Sequence, residues 1–286
     1  MYFESRGIRM HYRRWWVEGA NGVVVISHGL GEHSGRYREL ARKLNSSGYS
    51  VYALDHYGHG QSPGGRGDID AFSDYSLDLC RFIQLVRFEN TGQPLHLLGH
   101  SMGGVIACGS VVLPGGDCTV ESLILSAPAF KGSKEPGAVE VGLIRLLEKL
   151  CPRLPLSNRL DTQWISRDPA VVAAYGGDDL VHDRVTPRWF IGYQQFRAQL
   201  LAKPAAVEVP CLMLLPGEDR LVDSEVSCSW FDRLQGDTHR LCHFPAAYHE
   251  VFNEPGTGDE ALALLINHLN AISRHGVLPQ RESAAG

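Results

Sequence analysis

Residues 95–112 read LHLLGHSMGGVIACGSVV, and this stretch decides the fold. A short apolar run enters Gly99-His100-Ser101-Met102-Gly103, and small and apolar residues follow, so we predict a strand, a sharp turn and a helix. Gly99 and Gly103 flank the turn because side chains there would clash, and the strained Ser101 projects its hydroxyl from the sheet edge. The N–H groups of the following helix point to the space beside that hydroxyl, where negative charge would develop. The stretch predicts a nucleophilic serine; the alternative is a chance glycine-rich turn.

The rest of the chain alternates apolar runs with helical patterns. Predicted strands occupy 2–4, 8–16, 23–26, 49–54, 95–98, 123–126, 211–215 and 240–244, and predicted helices 37–44, 73–88, 102–112 and 259–272. Runs that are apolar throughout are typical of strands buried on both faces of a parallel sheet. We therefore expect an α/β fold with a mostly parallel central sheet flanked by helices.

One segment interrupts this alternation. Between residues 130 and 209 there is no convincing strand, whereas 139–150, 170–176 and 186–201 have helical patterns. We predict a helical cap over residues 131–203 and a core formed by 1–130 and 204–286. The apolar stripe of 139–150 either packs on the main domain or faces a substrate channel.

A serine nucleophile needs a base, and the chain has thirteen histidines. His249 is the preferred base because it lies on a loop just after the predicted strand 240–244, where the active sites of such sheets collect. Asp219 follows the strand before it and is the preferred acid, which would orient His249 and favour its charged form. Glu218 and Asp223 are alternatives, each of which could instead be a surface or loop-capping carboxylate.

Two backbone N–H groups should stabilise the oxyanion. One belongs to Met102, beside the nucleophile, and the other to Leu30, in the glycine-containing loop after the strand 23–26. We interpret His28 in that loop as a buried residue that braces loops rather than as a catalytic group. The two histidines beside Asp55 lack further ligands at suitable spacing, so we predict a hydrogen-bonded loop and no metal.

Composition limits the partners, the cysteine chemistry and the location that we expect for the protein. The 286 residues carry a formal charge of −5 without a long run of Lys or Arg, which excludes nucleic acid as an expected partner. The seven scattered cysteines have no zinc or disulfide-framework spacing, so we expect mostly free, small apolar side chains. We find no signal peptide and no membrane-length apolar run, and we expect a cytoplasmic protein with a loose tail at 276–286.

Several motifs together resemble the monoacylglycerol lipase and lysophospholipase-like group of α/β-hydrolases. They are His28-Gly29-Leu30-Gly31-Glu32-His33-Ser34-Gly35-Arg36-Tyr37, the loop 55–62, Gly99 to Gly104, Gly217-Glu218-Asp219-Arg220-Leu221-Val222-Asp223, and Tyr248-His249-Glu250. The resemblance covers most of the chain outside the insertion. It implies a cap domain, no cofactor, Ser101, Asp219 and His249 as the triad, and Leu30 and Met102 as oxyanion donors. Val222 stands where some relatives have a cysteine, so thiol sensitivity is not carried over.

The resemblance also implies hydrolysis of monoacylglycerol-like lipid esters, with fatty acid and glycerol released from an acyl-serine intermediate. A lysophospholipase or broad carboxylesterase is the alternative, a peptidase would use the same triad, and a non-catalytic receptor on this fold belongs to another class. The amphipathic stretch 139–150 suggests transient contact with membranes or micelles.

Overall fold

The computed structural model describes residues 1–113 and 118–274. Its main sheet has eight strands in the order β1-β2-β4-β3-β5-β6-β9-β10. They are β1 (Tyr2–Ser5), β2 (Ile8–Trp15), β3 (Gly22–Ser27), β4 (Tyr49–Leu54), β5 (Leu95–His100), β6 (Ser122–Ser126), β9 (Cys211–Pro216) and β10 (Arg240–Phe244). β1 and β2 are antiparallel to their neighbours, and the strands from β4 to β10 pair in parallel. The fold class is therefore the predicted one, and all eight predicted strands are present.

Helices cover both faces of this sheet. They are α1 (Arg38–Ser46), α2 (Ser73–Glu89), α3 (Met102–Val112), α7 (Ser224–Phe231) and α8 (Thr257–Arg274). Successive β3 residues belong to different cores, since Val23 packs with one cluster and Val24 with the other. This two-sided burial explains the continuous apolar runs of the sequence.

The segment between β6 and β9 contains three α-helices and one short strand pair, besides two three-residue 3₁₀ turns at Thr162–Trp164 and Pro204–Ala206. The α-helices and strands are α4 (Ala138–Leu150), β7 (Leu156–Ser157), α5 (Pro169–Gly176), β8 (Arg184–Val185) and α6 (Pro187–Leu201), with β7 antiparallel to β8. Neither two-residue strand was predicted, because two residues are too few to establish an alternating pattern. Helix α7 was also missed; it is short, and the Asp223 side chain caps its first N–H groups.

Both interpretations of the 139–150 stripe are wrong. No residue of α4 is buried, and Val139 and Leu150 are 90% and 69% exposed. None of its residues lines the cavity at the sheet edge either. Helix α6 instead packs into the main core: a Cβ at Gly109 of α3 would lie 2.2 Å from the ring of Phe196.

One pair of cysteines differs from the expectation of free thiols. Cys80 of α2 and Cys118, just before β6, form a disulfide, whereas Cys108, Cys151 and Cys211 are free, as are Cys228 and Cys242. The sequence could not indicate this pair, because its two members are 38 residues apart and have no characteristic spacing.

The tail 276–286, for which we predicted a loose structure, lies outside the described residues. Among residues 1–113 and 118–274, no helix combines the length and the apolar character that crossing a membrane requires.

Candidate active site

The turn between β5 and α3 has the strained geometry that its sequence predicts. Ser101 adopts φ 54° and ψ −121°, a region that non-glycine residues rarely enter. A Cβ at Gly99 would lie 2.5 Å from the carbonyl oxygen of Gly103, and one at Gly103 would lie 2.0 Å from that of Ser27. Both positions therefore require glycine, and the turn holds Ser101 at the carboxyl edge of the sheet.

Leu30 and Met102, the two residues predicted to supply oxyanion N–H groups, line the same cavity as Ser101. Met102 is the first residue of α3, where helices leave N–H groups without intrahelical partners. Leu30 follows β3, and its N–H has no hydrogen-bond partner within the part of the chain that the structure describes. The structure therefore places both of these residues at the cavity that Ser101 lines.

Asp219 and His249 form a tight pair. The His249 Nδ1–H donates to Asp219 Oδ2 across 2.7 Å, and the other carboxylate oxygen accepts from the N–H groups of Leu221 at 2.8 Å and Val222 at 2.9 Å. These three bonds fix the carboxylate and select the imidazole tautomer with a free Nε2.

The two alternative acids are used elsewhere. Glu218 pairs with Arg167 at 2.6 Å on the surface. Asp223 caps α7 and pairs with Lys131 at 2.8 Å. Of the three carboxylates considered, only Asp219 contacts His249.

Electrostatics at this pair favour a charged imidazole beside a charged carboxylate. Burial disfavours the imidazolium, but the Asp219 carboxylate outweighs it and raises the pKa of His249 above its ordinary 6.5. Burial likewise opposes ionisation of Asp219, yet His249 and the backbone donors lower the pKa of its carboxyl below 3.8. The neighbouring His100, whose ring centroid lies 4.8 Å from that of His249, stays neutral because burial lowers its pKa to about 4.

Ser101 and His249 line one cavity, although within residues 1–113 and 118–274 their side chains are not directly hydrogen-bonded. Such bonds are often long before substrate binds. The arrangement places an imidazole with a free Nε2 at the same cavity as the Ser101 hydroxyl.

A buried charge network, to which the sequence analysis assigned no role, joins the loops of Leu30 and His249. Arg36 Nη1 donates to Glu32 at 2.6 Å and to Glu250, next to His249, at 2.6 Å. Glu32 also accepts from the Gly29 N–H at 2.6 Å, and its pKa falls to about 2 because Arg36 outweighs burial. In the sequence, the four-residue spacing of Glu32 and Arg36 is the one feature that could have indicated this ion pair.

The neighbouring histidines brace loops, as predicted. His28 Nε2 accepts from the His56 N–H at 3.0 Å, and its Nδ1–H donates to the Gly29 carbonyl at 2.8 Å. Asp55 accepts from the N–H groups of Ser34 and Gln61, each at 2.8 Å. Within the described residues, no group of three or more His, Cys, Asp or Glu side chains could hold a metal.

The cavity above Ser101 opens to solvent, has a volume of about 180 Å³ and is mainly apolar. One side is formed by Leu30, Ser101, Met102 and His249, and other lining residues come from the segment between β6 and β9: Leu160, Ile165, Tyr175, Val185, Trp189, Phe190 and Tyr193. A mostly apolar pocket with a few polar groups is typical of a site for a small apolar ligand.

This sheet, the turn at Ser101 and the chain order of Ser101, Asp219 and His249 define an α/β-hydrolase. The family model described as serine aminopeptidase, S33 matches residues 18–256. The chain belongs to this family of hydrolases.

Curated relatives are similar over nearly the whole chain. The monoacylglycerol lipase of Mycolicibacterium smegmatis is 35% identical over 92% of this chain and 95% of its own. The phospholipase YtpA of Bacillus subtilis is 30% identical over 86% of this chain and 94% of its own. The crystal structure of the Paleococcus ferrophilus monoacylglycerol lipase has a TM-score of 0.81 at 31% identity, covering 92% of this chain and 99% of that one.

Proposed function

We propose that this protein is a serine hydrolase that cleaves the ester bond of monoacylglycerol-like lipids. The observation that carries the proposal is the placement of Ser101 and the His249–Asp219 pair at one apolar cavity. The names of the Mycolicibacterium and Paleococcus relatives support the substrate class.

The mechanism assigns one step to each group. Ser101 attacks the ester carbonyl while His249 Nε2 takes its proton, and Asp219 stabilises the resulting imidazolium. The N–H groups of Leu30 and Met102 stabilise the oxyanion of the tetrahedral intermediate. His249 then protonates the departing alcohol, and a water that it activates releases the fatty acid from Ser101.

Ser101→Ala tests the proposal directly. Ester turnover should fall to background, because the remaining groups cannot form the acyl intermediate, while the melting temperature changes little. A fluorophosphonate probe should label the unaltered protein at Ser101 and leave the variant unlabelled. Equal hydrolysis by the two proteins would remove the mechanism, and an unlabelled native protein would favour the non-catalytic receptor.

The acid is tested by a matched pair of substitutions. Asp219→Asn should lower kcat by roughly four orders of magnitude, because it stabilises the wrong imidazole tautomer. Asp223→Asn removes the same charge four positions beyond Asp219 but leaves His249 paired, so kcat should stay within about threefold. The opposite ranking would assign the role to Asp223.

The raised pKa of His249 sets the pH dependence. The base acts only when neutral, and its charged form is favoured by Asp219, so kcat/KM should fall as pH drops through a value above 6.5. A profile of kcat/KM against pH measures this limb. A limb whose midpoint lies below 6.5 would contradict the charged Asp219–His249 pair.

A phospholipid ester is the second candidate, because the similar YtpA protein is named a phospholipase. Both substrates present an ester carbonyl and an acyl chain, and they differ in the charged head group. A panel of monoacylglycerol, lysophospholipid, short aryl ester and aminoacyl amide substrates separates lipase, phospholipase, carboxylesterase and peptidase activities.

A second proposal concerns the exposed apolar side chains of α4 and their contact with membranes. Val139, Leu143, Leu146 and Leu150 follow one another at helical spacing on α4, and all four are exposed. We propose that this apolar stripe, called the α4 stripe below, contacts lipid surfaces transiently while the enzyme works peripherally from the cytoplasmic side. A helix that places Leu side chains at the acyl boundary would bring lipid esters to the adjoining cavity.

A further inference from the structure

Three aromatic side chains of α6 form one wall of the cavity above Ser101: Trp189, Phe190 and Tyr193. We call them the aromatic wall. Trp189 is only 4% exposed, and its ring stacks on that of Tyr193 with centroids 5.3 Å apart and planes at 15°. Phe72 lies just before α2. Its ring and that of Trp189 meet edge to face, with their centroids 5.6 Å apart.

The aromatic wall is tied to the nucleophile through one intermediate residue. The Tyr193 hydroxyl donates to the carbonyl oxygen of Ala129. The N–H of Ala129 in turn donates to the carbonyl oxygen of Ser101 at 3.0 Å. Ser101 and the aromatic wall line the same cavity, so an acyl group on Ser101 would share its space with these rings.

The aromatic wall is backed by packed core rather than by solvent. The ring of Phe72 also packs against those of Tyr75 and Phe196, with a centroid separation of 5.2 Å in each pair. Phe196 in turn packs so closely on α3 that a Cβ at position 109 would force its ring to move. Because protein cores are packed to near crystal density, Trp189 cannot move aside for a long chain without disturbing these contacts.

The cavity is small beside a long acyl chain. Its volume of about 180 Å³ is close to the roughly 150 Å³ of an apolar cavity that holds benzene, and Trp189 lines it against packed core. We propose that Trp189 is a specificity-determining residue that ends the acyl channel, so that the enzyme prefers esters of short and medium-length acids. This inference rests on the proposed ester hydrolase function and names its substrate range.

The test compares the acyl-length profiles of Trp189 variants. Values of kcat/KM are measured for 4-nitrophenyl butanoate, octanoate, dodecanoate and hexadecanoate below their aggregation limits. In the unaltered enzyme kcat/KM should fall about tenfold or more from octanoate to dodecanoate. Trp189→Ala should raise the ratio of dodecanoate to octanoate about tenfold or more, since the space that the indole leaves would admit methylenes that the unaltered enzyme cannot bind.

Two further variants keep the test decisive. Gln194→Ala changes a cavity-lining residue of the same helix outside the aromatic wall, and its ratio should stay within about threefold of the unaltered enzyme. Trp189→Phe keeps most of the core contact and should raise the dodecanoate-to-octanoate ratio by a smaller factor. If circular dichroism shows that Trp189→Ala is unfolded, the ratio of the Phe variant tests the inference instead.

Two outcomes would overturn the inference. One is a folded Trp189 variant with the original ratio, and the other is an unaltered enzyme whose rate is flat out to hexadecanoate. Failure of the proposed function looks different: no ester of any length is hydrolysed and the fluorophosphonate probe leaves Ser101 unlabelled.

Discussion

Helices α4 and α6 belong to the same inserted segment, yet they relate to the core in opposite ways. Helix α6 buries Trp189, Phe196 and Leu200, whereas α4 buries none of its residues. Both helices are amphipathic in sequence, so the difference arises from what covers their apolar faces. One segment of the chain therefore contains both a helix that packs into the core and a helix with an exposed apolar surface.

The largest expected difference is in stability. Leu200 is fully buried, so Leu200→Ala should lower the free energy of unfolding by roughly 2–4 kcal/mol through lost transfer energy and a residual cavity. Leu146→Ala on the α4 stripe should change it by less than about 0.5 kcal/mol, because this side chain is already half in solvent.

Urea unfolding followed by circular dichroism measures both values. Equal losses would mean that α4 is covered in solution, and the comparison between the two helices would then fail. A loss at Leu146 alone would reverse it.

Lipid binding should show the next largest effect. In the Ser101→Ala background, Leu143→Ser combined with Leu146→Ser should weaken binding to phosphatidylcholine vesicles by about tenfold or more, because full burial of one Leu is worth roughly 1.5–3 kcal/mol. Lys149→Ser, an exposed polar change on the same helix, is the control and should leave binding to these zwitterionic vesicles unchanged.

Vesicle sedimentation measures the bound fraction. If the double variant binds as well as its parent, the α4 stripe does not contact lipid, and the exposure of this helix needs another explanation. If Lys149→Ser weakens binding as strongly, charge rather than apolar burial holds the protein to the surface.

The sequence predicted the main sheet well because its strands are buried on both faces and read as unbroken apolar runs. It also placed Ser101, because the two flanking glycines are needed for steric reasons that show in the sequence itself. These predictions rest on local rules. Which apolar stripe is covered is decided by partners distant in the chain, and so the fate of the 139–150 stripe was predicted wrongly.

The site was predictable to a similar degree. Chain order and loop position suffice to bring His249 and Asp219 together, but they leave the roles of Glu32, Arg36 and Glu250 unassigned. Glu32 and Arg36 are four residues apart, but their partner Glu250 lies 214 positions beyond Arg36, and local rules do not reach that far. The Cys80–Cys118 disulfide was missed for the same reason.

The smallest expected effect concerns how the start of α6 is anchored. Asp68, in the loop before α2, accepts from the Thr186 hydroxyl at 2.8 Å and from Arg188 Nε at 2.6 Å. Burial raises the pKa of its carboxyl, but these donors outweigh burial and lower the pKa below its ordinary 3.8. A carboxyl with a depressed pKa contributes stability above its ordinary pKa and loses it as pH falls through the folded value.

Asp68→Asn should therefore cost about 1 kcal/mol at neutral pH, and the difference from the unaltered protein should shrink below about pH 4. Urea unfolding between pH 3 and pH 7 measures the two curves. Because Thr186 and Arg188 begin the helix that contains Trp189, the same variant should also broaden the acyl-length profile slightly at neutral pH. A stability difference that stays constant down to pH 3 would show that the charge of Asp68 does not anchor α6, which would leave the packing of Phe196 and Leu200 as the source of its fixed position.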